Sequence, residues 1–98
     1  MARALLTRYP NVGVLWKLYG AALLRQGEDA LPILQRASQL LPDDADTHCD
    51  LGTALRQSGN IAGAVACYQR ALDLRPAHLA AMIELANDRR KFTESYDG

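Results

Sequence analysis

Small and apolar residues recur twice along the chain at the spacing of one α-helical face. The first set is Trp16, Tyr19, Gly20 and Leu23, and the second set is His48, Leu51, Gly52 and Leu55. Residues at i, i+3, i+4 and i+7 lie on one side of an α-helix. Gly27 and Gly59 follow these two sets, in the place where a glycine commonly ends a helix. The pattern therefore predicts two helices, each of which stops at a glycine.

A second helix is predicted after each glycine, over residues 29–41 and 61–74. Pro32 falls in the first turn of the earlier helix, where proline is tolerated because the first backbone N–H groups have no partner within the helix. A short polar residue that can accept a hydrogen bond from a backbone N–H stands at each predicted helix start. The predicted N-caps are Asn11 and either Asp43 or Asp44 for the first helices, and Asp29 and Asn60 for the second helices.

The two helix pairs are near-copies of each other. In their second halves, residues 35–37 match residues 69–71 and Pro42 matches Pro76. In their first halves Gly20 matches Gly52, at a slightly shorter offset. The two offsets agree if the first pair lacks two residues just after Gly27. Self-similarity at this period indicates a stack of helical hairpins.

The repeat divides the chain into one predicted domain, residues 1–92, and a tail. The domain comprises a half-unit at 2–10, a first unit at 11–44, a second unit at 45–78 and another half-unit at 79–92. Residues 93–98 show no periodicity, and we predict that they are disordered.

The repeated positions resemble those of tetratricopeptide repeats, W-x2-L-G-x2-Y followed by A-x3-F and then P. The second unit carries Leu51, Gly52, Leu55, Ala64, Tyr68, Ala71 and Pro76, and the first carries Trp16, Gly20, Leu23, Ala30, Leu34, Ala37 and Pro42. The first unit departs from the pattern by its shorter turn, by Tyr19 in the leucine position and by Pro32. The resemblance implies an all-α fold, an α-solenoid of antiparallel helical hairpins with about five helices in a right-handed superhelical stack.

The repeated positions also have a physical role in such a stack. Gly20, Gly52 and Ala86 are small, which allows one helix to cross close to another. The alanines of the second helices serve the same close approach. Trp16 and Tyr68 are expected to fill the larger gaps between hairpins.

The resemblance implies a protein-interaction scaffold that binds an extended peptide or a partner helix on a concave face. The first helix of each unit lines that face. The groove residues expected by analogy are Lys17, Ala21, Leu24, Arg25, Asp46, Cys49, Asp50, Thr53, Arg56, Ile83, Asn87 and Arg90. Arg56 and Arg90 are one full repeat apart and are expected to stack. Such a row would bind an acidic peptide through bidentate hydrogen bonds, although cations at helix ends are also favoured by the helix dipole alone.

Some related domains clamp the C-terminal carboxylate of a partner with lysine, asparagine and arginine side chains on successive first helices. Lys17 matches the first of these positions. Ala21 and Asp50 stand where asparagine is needed, and Ala80 and Glu84 stand at the last two basic positions. Two of these residues are acidic and would repel a carboxylate, so we exclude this clamp.

Composition limits the other functions. The chain has 11 basic and 11 acidic residues, and this balance disfavours nucleic acid and membrane surfaces as partners. Cys49 and Cys67 are interpreted as reduced thiols of a cytoplasmic protein, although a disulfide between them stays open. With His48 and His78 they lack the spacing of zinc ligands. We therefore expect no metal, no cofactor and no enzymatic activity.

Two alternatives to an adaptor stay open. Arrays of this kind also precede glycosyltransferase domains, where they recruit substrate, so the chain could serve within a larger enzyme. The second alternative is homodimer formation through exposed terminal helices, because Leu5 and Leu6 are expected to lack a covering helix.

Overall fold

The computed structural model describes the backbone of residues 2–97 and the side chains of residues 4–88. Over this part of the chain it contains six α-helices and no strand. The helices are α1 (Ala2–Arg8), α2 (Gly13–Arg25), α3 (Leu31–Leu40), α4 (Ala45–Gln57), α5 (Ile61–Leu74) and α6 (Leu79–Asp97). The all-α hairpin prediction is confirmed, with one helix more than expected because residues 2–8 form a separate helix. None of these helices is long and apolar enough to cross a membrane.

Two helical hairpins form the centre of the fold, α2 with α3 and α4 with α5. Each hairpin turns at a glycine with positive φ, Gly27 at 72° and Gly59 at 92°. This region of backbone space is readily available only to glycine. The chain then reverses so that the N–H of Glu28 donates to the carbonyl of Leu23 at 2.9 Å. The glycine stops predicted from the sequence are therefore where the structure needs them.

Two of the predicted N-caps are confirmed. A carboxylate oxygen of Asp44 accepts a hydrogen bond from the backbone N–H of Thr47 at 3.0 Å, at the start of α4. The side chain of Asn60 likewise accepts from the N–H of Gly63 at 2.9 Å, at the start of α5. These bonds satisfy N–H groups that have no partner within the helix.

The other two predicted N-caps are wrong. Helix α2 begins after Val12 and has no side-chain cap. Asn11 instead accepts a hydrogen bond from the guanidinium of Arg36 at 3.2 Å. Asp29 lies just before the observed N-cap of α3, although its side chain accepts from the N–H of Leu31 at 3.1 Å. In both cases the helix begins slightly later than the polar residue suggests.

Close helix crossing at the small residues is confirmed. A Cβ atom placed on Gly52 would lie 2.8 Å from Cε1 of Tyr68, and one on Gly20 would lie 2.6 Å from Cγ of Leu34. Tyr68 and Leu34 are both fully buried. Any side chain at either glycine would therefore push the two helices apart. The repeat alanines Ala30, Ala37, Ala64 and Ala71 are buried as well.

Trp16 lies in the first turn of α2. It is half-buried, and its indole N–H donates to the carbonyl of Pro10 at 2.9 Å. At the same repeat position, His48 Nε2 lies 2.7 Å from the carbonyl of Pro42. Both rings are held by the turn that precedes their helix. Ala86 is also exposed, because no described helix packs on its side of α6.

The last helix is longer than the predicted half-unit. Helix α6 continues to Asp97, although the sequence pattern predicts disorder over residues 93–98. The sequence contains no glycine or proline between residue 79 and Gly98, so nothing local ends the helix earlier. The right-handed sense of the superhelix stays a prediction.

Candidate peptide-binding groove

The first helices α2, α4 and α6 carry the residues of the candidate groove, and ion pairs join the three helices. Lys17 of α2 lies with its Nζ 2.8 Å from Asp44 Oδ2 and 3.8 Å from Asp46 Oδ2. Desolvation acts against ionisation of Asp44, but hydrogen bonds from Lys17 and Thr47 lower the pKa of this carboxyl below its usual value. Lys17 therefore meets carboxylates of its own chain.

Asp46 connects α4 to the start of α6. Its Oδ1 lies 2.7 Å from His78 Nε2 and 3.3 Å from Arg75 Nη1. His78 Nδ1 accepts the backbone N–H of Ala81 at 3.2 Å and so caps α6. Because Nδ1 is an acceptor, the neutral ring carries its proton on Nε2 and donates it to Asp46.

Asp50 lies one turn after Asp46 on the same face of α4. It is half-buried, and no hydrogen bond or ion pair joins it to another described side chain. Desolvation, followed by the charge of Asp46, raises the pKa of Asp50 to about 6, while the charge of Lys17 acts against this. The middle of the groove therefore holds more negative charge than its lysine neutralises.

Arg56 is not free to receive an acidic peptide, contrary to our expectation. Its guanidinium forms an ion pair with Glu84, and its Nη1 lies 3.9 Å from Asp88 Oδ1 on the same helix, α6. The side chain of Arg90 lies outside the described residues. The sequence predicts that Arg56 stacks with Arg90. The expected groove did not include Glu84 and Asp88, the two acidic residues that face Arg56.

Cys49 is wrongly assigned to the groove. It is only 6% exposed and packs in the core with Ala45, Ala64 and Tyr68. Desolvation is the main cause that raises the pKa of its thiol to about 11, and the charges of Asp50 and Asp46 act in the same direction. Both cysteines are free thiols, and a peptide cannot reach this one without displacing the core.

Thr53 lies at the edge of the same core. Its hydroxyl shares a hydrogen bond of 2.9 Å with the hydroxyl of Tyr68 and donates to the carbonyl of Cys49 at 3.2 Å. Burial raises the pKa of Tyr68, although the hydrogen bond to Thr53 acts against this. The hydroxyl of Thr53 is therefore used to orient the tyrosine that fills the space beside Gly52.

The remaining expected groove residues differ in exposure. Ile83, Asn87 and Arg25 are exposed, whereas Ala21 and Leu24 are half-buried. Ile83 is a large apolar side chain and is 58% exposed. An exposed apolar side chain at a groove position is surface that a bound partner could cover.

Sequence reasoning missed Val14 and Leu18. They hold in the first unit the positions of Asp46 and Asp50, and both are large exposed apolar residues. The repeat register could have identified them, because the offset that matches Gly20 with Gly52 also relates these two pairs. The groove thus has apolar residues on α2 and α6 and carboxylates between them on α4.

The described residues hold no group of three or more histidine, cysteine, aspartate or glutamate side chains placed to bind a metal ion. What the groove offers instead is apolar surface, ion-paired charges and one half-buried carboxylate. This is the chemistry of recognition of another chain.

The sequence profile of the tetratricopeptide repeat matches residues 11–77, which is more than half of the chain. Together with the stacked hairpins, this match shows that the chain belongs to the tetratricopeptide repeat family. The family fold is in general a module for protein–protein interaction and is generally non-catalytic. No curated protein matches the chain closely enough to indicate a more specific relationship.

Proposed function

We propose that this protein is a non-enzymatic adaptor that binds a segment of a partner protein in the groove along α2, α4 and α6. The observation that supports it most is the exposed Ile83 at a groove position of α6, across from the charged face of α4. Apolar anchors beside polar groups that fix orientation are typical of peptide-recognition grooves. The free thiols and neutral charge favour a cytoplasmic protein partner over nucleic acid or membrane.

The proposal is tested by the substitution Ile83→Ser, with Met82→Ser as the matched control. Both residues are exposed large apolar side chains on α6, but only Ile83 holds a groove position. Full burial of such a side chain contributes about 1.5–3 kcal/mol, so peptide affinity should fall at least about tenfold in Ile83→Ser. The measurement is binding of the protein to an array of synthetic peptides.

Peptides that bind the unaltered protein should bind Met82→Ser equally well. If Ile83→Ser and Met82→Ser bind all peptides alike, the groove is not the binding surface.

Self-association is a second candidate function. Leu79 and Met82 expose one side of α6, and a cavity of about 230 Å³ opens between α1 and α2. The cavity is lined by Leu5, Leu15, Leu18, Tyr19 and Ala22. Leu6 does not contribute, since it is buried, contrary to the sequence-based expectation. Two apolar surfaces at opposite ends of a stack favour contact between copies.

Substrate recruitment within a larger enzyme such as a glycosyltransferase would use the same groove and stays a prediction. It differs from an adaptor role only in where the bound segment is delivered.

A further inference from the structure

A carboxylate without a hydrogen-bond partner lies inside the wall of the groove. Asp88 of α6 is 0% exposed, and neither of its carboxylate oxygens has a hydrogen-bond partner among the residues whose side chains the structure describes. In the repeat register it holds the position of Ala54 in the second unit, so packing does not require a carboxylate there. Burial of a charge without full compensation is strongly unfavourable, because the charge loses its hydration. Among the described side chains, only Arg56 brings a positive charge to this carboxylate, at 3.9 Å.

The described side chains supply one cation for two carboxylates at this place. Arg56 forms an ion pair with Glu84 and lies 3.9 Å from Asp88. The hydroxyls of Thr53 and Tyr68 are nearby but are hydrogen-bonded to each other and carry no charge that could neutralise an acid. The cluster of Arg56, Glu84 and Asp88 is thus negative in sum.

The neighbouring part of the groove has the same sign. Asp46 and Asp50 follow each other by one turn on α4, and Lys17 is shared between Asp46 and Asp44. The raised pKa of Asp50 reflects this local excess of negative charge as well as desolvation. Among the described side chains here, the cations Lys17, Arg56 and Arg75 meet a larger number of carboxylates, those of Asp44, Asp46, Asp50, Glu84 and Asp88.

We propose that the groove selects a basic segment of its partner, with a lysine or arginine side chain pairing with Glu84, which is 27% exposed and lies beside the buried Asp88. This inference rests on the proposed function and specifies its ligand. A further basic residue of the segment would face Asp50, which has no ion-pair partner among the described side chains. Opposite charges speed encounter and fix register, whereas an acidic segment would be repelled.

Two synthetic peptides test the proposal, one of alternating leucine and arginine and one with glutamate in place of every arginine. Their dissociation constants are measured by fluorescence anisotropy at low and physiological salt. The arginine peptide should bind at least about tenfold more tightly than the glutamate peptide. Its affinity should fall about three- to tenfold in Glu84→Gln and in Asp50→Asn. Asp73→Asn, which removes an exposed charge from α5, is the matched control and should stay within about twofold.

Asp88→Ala separates recognition from structure. Alanine occupies the same repeat position in the second unit, so this substitution should raise the melting temperature. It should at the same time weaken the arginine peptide at least about threefold. A carboxylate with only a structural role would change the melting temperature and leave the affinity unchanged. Circular dichroism verifies the helical fold of each variant.

Three results would overturn the inference: equal affinity for the two peptides, an equal loss in Asp73→Asn and Glu84→Gln, or unchanged affinity in both Asp88→Ala and Glu84→Gln. Ile83→Ser distinguishes this failure from failure of the groove itself. If the two peptides bind equally and both are weakened by Ile83→Ser, the groove is correct and the charge preference is wrong. If neither peptide responds to Ile83→Ser, the proposed function fails as well.

Discussion

At the scale of single residues, carboxylates on α4 and α6 supply the negative charges of the candidate groove. Asp46 is paired with His78 and Arg75, whereas Asp50, one turn later, has no ion-pair partner among the described side chains. The same residue type therefore stabilises the fold at one position and opposes it at the next. Such unfavourable charges are often retained where a ligand will neutralise them.

Asp50→Asn should stabilise the protein at neutral pH. The pKa of Asp50 is raised from 3.8 to about 6, so the folded state binds a proton more tightly than the unfolded state. Stability is therefore lost as the pH rises from about 4 to about 6, and it stays lost above that range. Asparagine avoids this loss. Because Asp50 is only half-buried, we expect a gain of about 1 kcal/mol at pH 7, and about none below pH 4.

Thermal unfolding followed by circular dichroism over this pH range measures the effect of Asp50→Asn. Asp73→Asn is the control, since Asp73 is exposed and should show no such pH dependence. A lower melting temperature for Asp50→Asn at pH 7 would contradict the assigned environment.

Residue identity predicts packing better than it predicts polar contacts. The repeat position of Gly52 predicts a close helix crossing, and in the structure Tyr68 packs against it there. The position of Cys49 predicts a groove residue, but this side chain is buried instead. A small side chain fits a close contact wherever it occurs, but whether a position is exposed depends on how the neighbouring helices tilt.

At the scale of secondary-structure elements, the helix starts also show that local predictions hold only where no contact from another helix competes. Asp44 and Asn60 cap their helices as predicted, whereas Asn11 does not. Asn11 instead bonds to Arg36, which the hairpin brings to it from α3. A tertiary contact therefore replaces a local one where both are available.

Asp44→Ala should destabilise the protein by about 1–2 kcal/mol, since α4 loses its N-cap and Lys17 loses its nearest carboxylate. Asp44→Asn should lose less, because asparagine caps a helix about as well. The neighbouring Asp43 is the control: it is exposed and makes only a surface pair with Arg70 at 3.6 Å, so Asp43→Ala should change stability by less than about 0.5 kcal/mol.

Chemical denaturation at neutral pH measures these differences in the free energy of unfolding. Equal losses in Asp43→Ala and Asp44→Ala would show that the cap contributes nothing beyond its charge.

At the scale of the whole molecule, each helix packs chiefly against its neighbours in the chain, from α1 against α2 to α5 against α6. The stack is extended, with principal dimensions of 49, 26 and 17 Å. In such an array each hairpin is stabilised by the units on either side of it. Surfaces at the two ends therefore have the largest share of uncovered apolar side chains.

If a second copy covers these ends, Met82→Glu should reduce association. Met82 is exposed on α6, and a buried glutamate would oppose contact between copies. Sedimentation velocity of the unaltered protein should show an average mass that rises with concentration, and this rise should be smaller in Met82→Glu. Ala66→Glu, which adds the same charge on exposed α5, should behave as the unaltered protein. A monomer at all concentrations would exclude self-association.

The sequence by itself determined the repeat, the two central hairpins, their glycine turns and the close helix crossing at Gly52. These features could be predicted because helix periodicity, positive φ and side-chain size are local properties that recur with the repeat. The groove-forming helices followed from the family resemblance.

Only the tertiary structure decided which charges meet. The repeat spacing predicts that Arg56 extends a basic row toward Arg90, but stacking of α4 on α6 places it against Glu84 and Asp88. The residues that form such pairs are distant in sequence, and their distances depend on how the helices are stacked. Coulomb energies change steeply with distance and burial. The stacking of the helices therefore decides which charges surround Arg56.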